Sequence, residues 1–414
     1  MTGQPPVSVN APVKGRMLLS LMLAVFAISA GFGILLPQLP DLVGQMLGEG
    51  STAAEVSRAT GLLTALYMFA LFLCAPVWGQ LSDRWGRRPV LLIGLTGFGA
   101  TMLVFAVLES LYALYAERAL SGLFAAAVTP VALATVTDFS ATRAELGRRL
   151  TFVSLAGVSG FLLGPALGVA LTRAAGATGG AMMAPLAATG GLALVAALAV
   201  ALTVGHARAS RPEGDRQPAQ ASAPHVVRWL LALGFVVSAG VAVFEVGLAL
   251  RGRQDLGLNP AQLAMMFTLC SGVMIVVQAV VFSPLVRPEF TRWLIAPAFA
   301  VMAAALFAVP LTADFRLMLV VVGAVAASAG ILSPILTYWV ASHGGHKSGA
   351  ELGKQTAAAS LGAALGSAAG GLLYDVTWLP NAAFVLTAGV IALAVWPGLW
   401  LPGRLVPRDA SGPL

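Results

Sequence analysis

Twelve apolar runs of about 20 residues recur along the 414-residue chain, at 17–37, 59–78, 89–108, 112–137, 150–172, 180–204, 229–250, 261–286, 293–312, 316–341, 355–374 and 379–401. Each is long enough to cross a bilayer core as a helix. A backbone without water must satisfy its own hydrogen bonds, so every run is expected to be helical. With 58% apolar and 10% charged residues and a mean hydropathy of +0.88, too little polar surface remains for a soluble domain. The first run follows Lys14 and Arg16 and contains Ala27-Ile-Ser-Ala30, as a cleavable signal peptide can, but it continues to Pro37, which favours an uncleaved span.

The formal charge of +7 could point to a nucleic acid, but the basic residues are scattered between apolar runs with no basic stripe, so no nucleic-acid partner is expected. They read as topology signals. With the N-terminus placed in the cytoplasm, 18 Lys and Arg fall in the tails and inner loops and 5 in the outer loops, with Arg118 inside the fourth run. That asymmetry predicts both termini on the cytoplasmic side. Arg outnumbers Lys 21 to 3 amid abundant Ala and Gly, a composition associated with GC-rich bacteria, so a bacterial inner membrane is expected. The two cysteines, Cys74 and Cys270, sit inside apolar runs and read as packing residues; neither a disulfide framework nor a metal site is expected.

After the sixth run, 205–227 is polar, proline-bearing and without helical periodicity, and reads as a linker. The expected units are a tail 1–16, a six-helix bundle 17–204, the linker 205–227, a second bundle 228–401 and a tail 402–414. The halves also resemble one another. AELG occurs at Ala144–Gly147 and at Ala350–Gly353, and at the same offset Ser154-Leu155 matches Ser360-Leu361, Gly160 matches Gly366 and Gly164 matches Gly370. Repeats with an even number of spans run parallel, related by an axis along the membrane normal. The expected fold is an all-α membrane protein of two pseudo-symmetric six-helix bundles around a central site.

Four motifs make a family resemblance specific. Gly79 to Pro89, GQLSDRWGRRP, fits G-x-L-S-D-R-x-G-R-R, which resembles the cytoplasmic loop signature of the major facilitator superfamily. Gly79 and Gly86 are expected to permit a tight turn, and Asp83 to cap a helix N-terminus and pair with an Arg across the interface. With Arg84, Arg87, Arg88 and a partner carboxylate at Asp138, these residues form an expected cytoplasmic gate; the bland alternative is an ordinary basic inner loop. The corresponding stretch of the second half, Ser283 to Phe290, is degraded, so a gate of this kind is expected in the N-terminal half only.

In the fifth run, Gly157 to Gly168 is similar to the antiporter motif G-x-x-x-G-P-x-x-G-G, with Val169 in place of the last glycine. Gly160, Gly164 and Gly168 line one helix face, letting another helix approach, and Pro165 is expected to bend the span, though generic small-residue packing would look alike. Gly33 to Pro40 and Arg118-Ala-Leu-Ser-Gly122 complete a resemblance to twelve-span drug/proton antiporters, the group that includes tetracycline exporters. It implies the major facilitator fold and export without a cofactor, the proton being the coupling ion. The expected chain is a monomer embedded in lipid.

Charges inside spans are costly and mark candidate function. The interior set is Glu117, Arg118 and Glu245. Arg118 and Glu245 each lie about 9 Å below the outer end of their runs. In the family fold the first, fourth, seventh and tenth helices line the cavity, so the resemblance lets this pair face each other there and couple proton flow to transport. The alternative is that both snorkel to the outer interface. Glu117, about 100° away from Arg118 on the helix, is expected to face the headgroups or a neighbouring helix.

The same four helices carry Phe26, Phe32, Ser121, Phe235, Ser238, Phe244, Tyr338 and Trp339, an aromatic and weakly polar set suited to a lipophilic substrate. The expected function is proton-coupled export of small lipophilic or amphiphilic compounds by alternating access. Two rivals are a metabolite or sugar symporter or facilitator, and an intramembrane enzyme. The enzyme is disfavoured because His206, His225, His343 and His346 all fall in loops, leaving no metal cluster or Ser/His pair at depth.

Overall fold

The computed structural model describes residues 11–48, 50–105, 110–139, 143–175, 183–205, 224–281, 288–312, 314–343, 348–374 and 381–405. Twelve long helices follow one another: α1 (Ala11–Leu35), α2 (Ala53–Trp85), α3 (Arg87–Phe105), α4 (Leu111–Ala125, continued by Val128–Asp138), α5 (Arg143–Ala175), α6 (Met183–Thr203), α7 (Pro224–Gln254), α8 (Pro260–Val281), α9 (Ile295–Ala308), α10 (Phe315–His343), α11 (Ser348–Leu372) and α12 (Ala382–Trp400). Among the described residues there is no strand.

Local chemistry sets the starts. Thr52 and Glu55 form a reciprocal capping box before α2, the Thr52 hydroxyl accepting from Glu55 N at 3.2 Å and the Glu55 carboxylate from Thr52 N at 2.8 Å. Asn259 and Gln262 make the same exchange before α8, at 2.8 and 3.0 Å. α7 and α8 open on Pro224 and Pro260, where a missing N–H costs nothing. For this reason α7 begins inside the stretch expected to be linker, as α1 begins inside the expected N-terminal tail. The remaining linker (206–223), His206 and His346, and 283–287 of the degraded loop lie outside the described residues. His225 and His343 sit in the first and last turns of α7 and α10 rather than in loops.

Among the described residues, eleven helices are long and apolar enough to cross a membrane. α11 is the exception, although its 25 residues would span. Its Ala, Gly and Ser content lowers its hydropathy. It packs against α7 and α2, and its small residues serve close contact with helices more than contact with lipid.

Two hydrophobic cores form, one from Met17 to Val204 and one from Val226 to Leu405 that also takes in Leu36. Matching contacts recur in the two halves. A Cβ on Gly164 of α5 would meet the backbone of Gly33 and Ile34 of α1 at 2.8 Å, and one on Gly370 of α11 would meet Val246 of α7 at 3.2 Å. The carbonyl of Phe26 lies under Gly160 as that of Ala239 lies under Gly366. Glycines there remove the side chains that would hold the helices apart.

The halves meet through α2 with α11 and α5 with α8. We call the end where α1 starts and α12 finishes the terminal end, and the other the distal end. In α8, Leu263, Met266, Phe267, Cys270 and Ser271 are buried, whereas no residue from 272 to 280 is. In α2, Ser57, Thr60, Gly61, Leu63, Thr64 and Tyr67 are buried, whereas none from 71 to 81 is. Of the four helices that join the halves, α2 and α8 are therefore enclosed toward the distal end and open toward the terminal end.

Candidate functional site

At the terminal end the motif loop is a sharp break between α2 and α3. Gly86 caps α2 at φ +94°, a left-handed conformation that a side chain rarely adopts. Gly79 lies within α2, with open space around its Cα, so Gly86 alone makes the turn. Asp83 also differs from expectation. It lies in the last turn of α2, where it cannot cap an N-terminus, and it pairs with Arg87 four residues on at 2.6 Å rather than across the two halves. Arg87 binds Asp138 of α4 at 2.8 Å and donates to Ser82 Oγ at 2.6 Å, tying α2, α3 and α4 together. Arg88 donates to the carbonyl of Ala201 in α6 at 2.6 Å, and Arg84 is exposed. These bonds brace the N-terminal bundle.

Gly160, Gly164 and Gly168 of α5 all face α1, where added Cβ atoms would meet the Phe26 carbonyl, Gly33 and the Gln38 amide. Pro165 is buried within α5, which runs unbroken from Arg143 to Ala175. The antiporter-like motif thus fixes how closely the first and fifth spans approach.

Deep in the N-terminal half, α4 holds a buried ion pair. Arg118 Nε and Nη2 donate to Glu117 Oε2 and Oε1 at 2.7 and 3.0 Å, and both residues are 3% exposed. The guanidinium lies 4.8 Å from the Phe105 ring centre and 5.6 Å from that of Tyr67. Ser121 is sealed behind it, donating to the Arg118 carbonyl at 3.2 Å. Arg118 therefore has its counter-charge next door, not at Glu245, and Glu117 faces inward rather than the headgroups. Two long side chains can fold toward each other from positions 100° apart, which backbone direction alone does not reveal.

Beside this pair a small cavity of about 10 Å³, room for roughly one water, is lined by Phe32, Leu35, Leu36, Leu39, Thr64, Tyr67 and Arg118. Phe32 stacks on Tyr67 and on Phe161, with centroids 5.6 and 5.8 Å apart, and packs against both cores. Tyr67, Phe105 and Phe161 escaped sequence reasoning because nothing distinguishes them from other aromatics in apolar runs.

Glu245 lies on α7, partly exposed, and makes no hydrogen bond or ion pair with any described residue. Cys270 of α8 is within electrostatic reach. Because Gly33 and Val246 occupy matching places in the two halves, so do their predecessors: one half presents the Phe32 ring where the other presents a carboxylate. Phe235 and Ser238 are partly exposed on the same stripe of α7, and Phe26 is partly exposed on α1. Phe244, by contrast, is buried in the C-terminal core at 1% exposure, since adjacent helical residues cannot share a face. Trp339 is likewise buried, with Tyr338 more exposed and set edge-on against it at 5.4 Å. Phe244, Trp339 and Ser121 are thus packing residues in this conformation. No group of three or more His, Cys, Asp or Glu side chains converges among the described residues.

Comparison with known proteins fits this geometry. The chain is 25% identical over 389 residues to multidrug resistance protein 2 of Bacillus subtilis, covering 91% of this chain and 94% of that one. It is 35% identical over 159 residues to the class C tetracycline resistance protein of Escherichia coli, covering 38% and 39%. The crystal structure of the human organic anion transporter MFSD10 (TETRAN) superposes with a TM-score of 0.74 at 21% identity, covering 95% of this chain and all of that one. Residues 21–350 match the Major Facilitator Superfamily. The chain therefore belongs to the major facilitator superfamily, as an integral membrane transporter rather than an enzyme.

Proposed function

We propose that this protein exports small lipophilic or amphiphilic compounds in exchange for protons, by alternating access between its two six-helix halves. The carrying observation is Glu245, a mid-helix carboxylate without a fixed counter-charge, placed where the other half offers the Phe32 ring. Arg118, the cation that the sequence suggested as its partner, is already neutralised by Glu117. A carboxylate with no fixed partner can hold a proton in one state of the transporter and release it in another, once surrounding water or substrate changes. Phe26, Phe32, Phe235 and Ser238 supply apolar and weakly polar contacts for the compound. The named relatives, multidrug and tetracycline resistance proteins, support this direction of transport.

The excess of basic residues at the terminal end supports a cytoplasmic position for it. The less buried ends of α2 and α8 then lie toward the cytoplasm, the side from which an exporter loads. The brace around Arg87 holds the N-terminal bundle rigid while the halves rock. The test is Glu245→Gln in inside-out vesicles: the variant is expected to insert normally and to lose proton-driven dye uptake. Substrate-evoked proton release at the parent rate in that variant would remove Glu245 from the coupling.

A further inference from the structure

At the distal end, Asp41 on the short helix Leu39–Leu47 accepts from Arg253 of α7, with Nη2 and Nε 2.6 and 2.7 Å from Oδ1. Arg253 Nη1 also donates to the Leu258 carbonyl at 2.6 Å, which steadies the guanidinium from the C-terminal half. Next to it, Gln254 Nε2 donates to the Ala53 carbonyl and to Ser57 Oγ, both at 3.3 Å. Beneath this rim, α2 and α11 touch backbone to backbone. A Cβ on Gly61 would lie 2.6 Å from Gly371 Cα and 2.8 Å from the Ser367 carbonyl, and one on Gly371 would collide with the Ser57 carbonyl. Thr60 Oγ1 and Ser367 Oγ are buried there without hydrogen-bond partners among the described residues.

These features together describe a joint that closes well and reopens easily. The members of the ion pair are 30% and 28% exposed, so water screens them. Backbone contact between glycines fits closely but interlocks no side chains. Two hydroxyls lose hydrogen bonds on closure that they could regain on opening.

We propose that the Gly61–Gly371 seam and the Asp41–Arg253 pair form the distal gate of the transporter, the seam sealing it and the pair latching it. Both part when the centre turns toward the distal side. Arg253 lies eight residues from Glu245 on α7. That is about 12 Å along one helix, so release of the latch moves the element that carries the coupling carboxylate. The proposal rests on the alternating-access reading; exposure can be read without any substrate, so failure of the latch and failure of the substrate assignment are distinguishable.

The test uses the full chain with Cys74 and Cys270 changed to Ser and a Thr64→Cys reporter below the seam. A membrane-impermeant maleimide is added to the distal face of sealed vesicles. Asp41→Asn and Arg253→Gln are each expected to raise the labelling rate by up to about fivefold, and the double variant no further than either alone. Gly61→Ala is expected to raise it more, because the new methyl meets rigid backbone. Unchanged labelling in both single rim variants, or effects that multiply in the double, would overturn the latch. Should Gly61→Ala fail to assemble, the partly exposed rim variants decide the matter.

Discussion

Replacing Glu117 with Gln leaves the Arg118 guanidinium buried at 3% exposure without a counter-charge, while Phe105 and Tyr67 still cover it. Removing one member of a buried, doubly hydrogen-bonded pair costs about 3–5 kcal/mol. Exposure this low leaves little for solvent to screen. With an unfolding entropy of about 2.1 cal/mol/K per residue, that loss lowers the midpoint of a chain this long by roughly 4–6 °C. The assay is thermal unfolding of the purified protein in detergent, followed by tryptophan fluorescence at a fixed scan rate. The companion variant carries Glu117→Gln and Arg118→Met together. Removing both charges abolishes the orphan, so the double is expected to be more stable than the single. A shift below about 1 °C in the single variant, or a double variant less stable than it, would refute the account of this pair as mutual neutralisation at depth.

Gly164→Val is expected to cut the amount of folded protein in membranes, since its Cβ would meet α1 backbone at 2.8 Å; overpacking of this kind costs about 1–3 kcal/mol or more. Gly191→Ala, with nothing within 4 Å, is the control and should express as the parent does. Arg87→Gln removes bonds to Asp83, Asp138 and Ser82 and should slow dye efflux severalfold, whereas Arg84→Gln should leave it unchanged; equal effects would argue that loop charge alone matters. Gly86→Ala places a Cβ at φ +94° and should destabilise the α2–α3 turn by about 1 kcal/mol, read as a lower melting midpoint.

The apolar runs, the basic-residue asymmetry and the repeated AELG segment made the helices, their number and the two-fold organisation legible before any coordinates. These are one-dimensional signals: hydropathy and chain period act through solvent and helix geometry, which depend on local sequence. The glycine motif of α5 was legible too, because small residues four apart leave a groove whichever helix fills it. The tertiary structure supplied the partners. It decided that Arg118 answers to Glu117, that Phe244 turns into a core while Glu245 stays without a partner, and that Asp83 braces its own bundle. It also brought Asp41 to Arg253, 212 positions apart along the chain. Ion pairing and access depend on distances between elements far apart in sequence, and those distances exist only once the helices have packed.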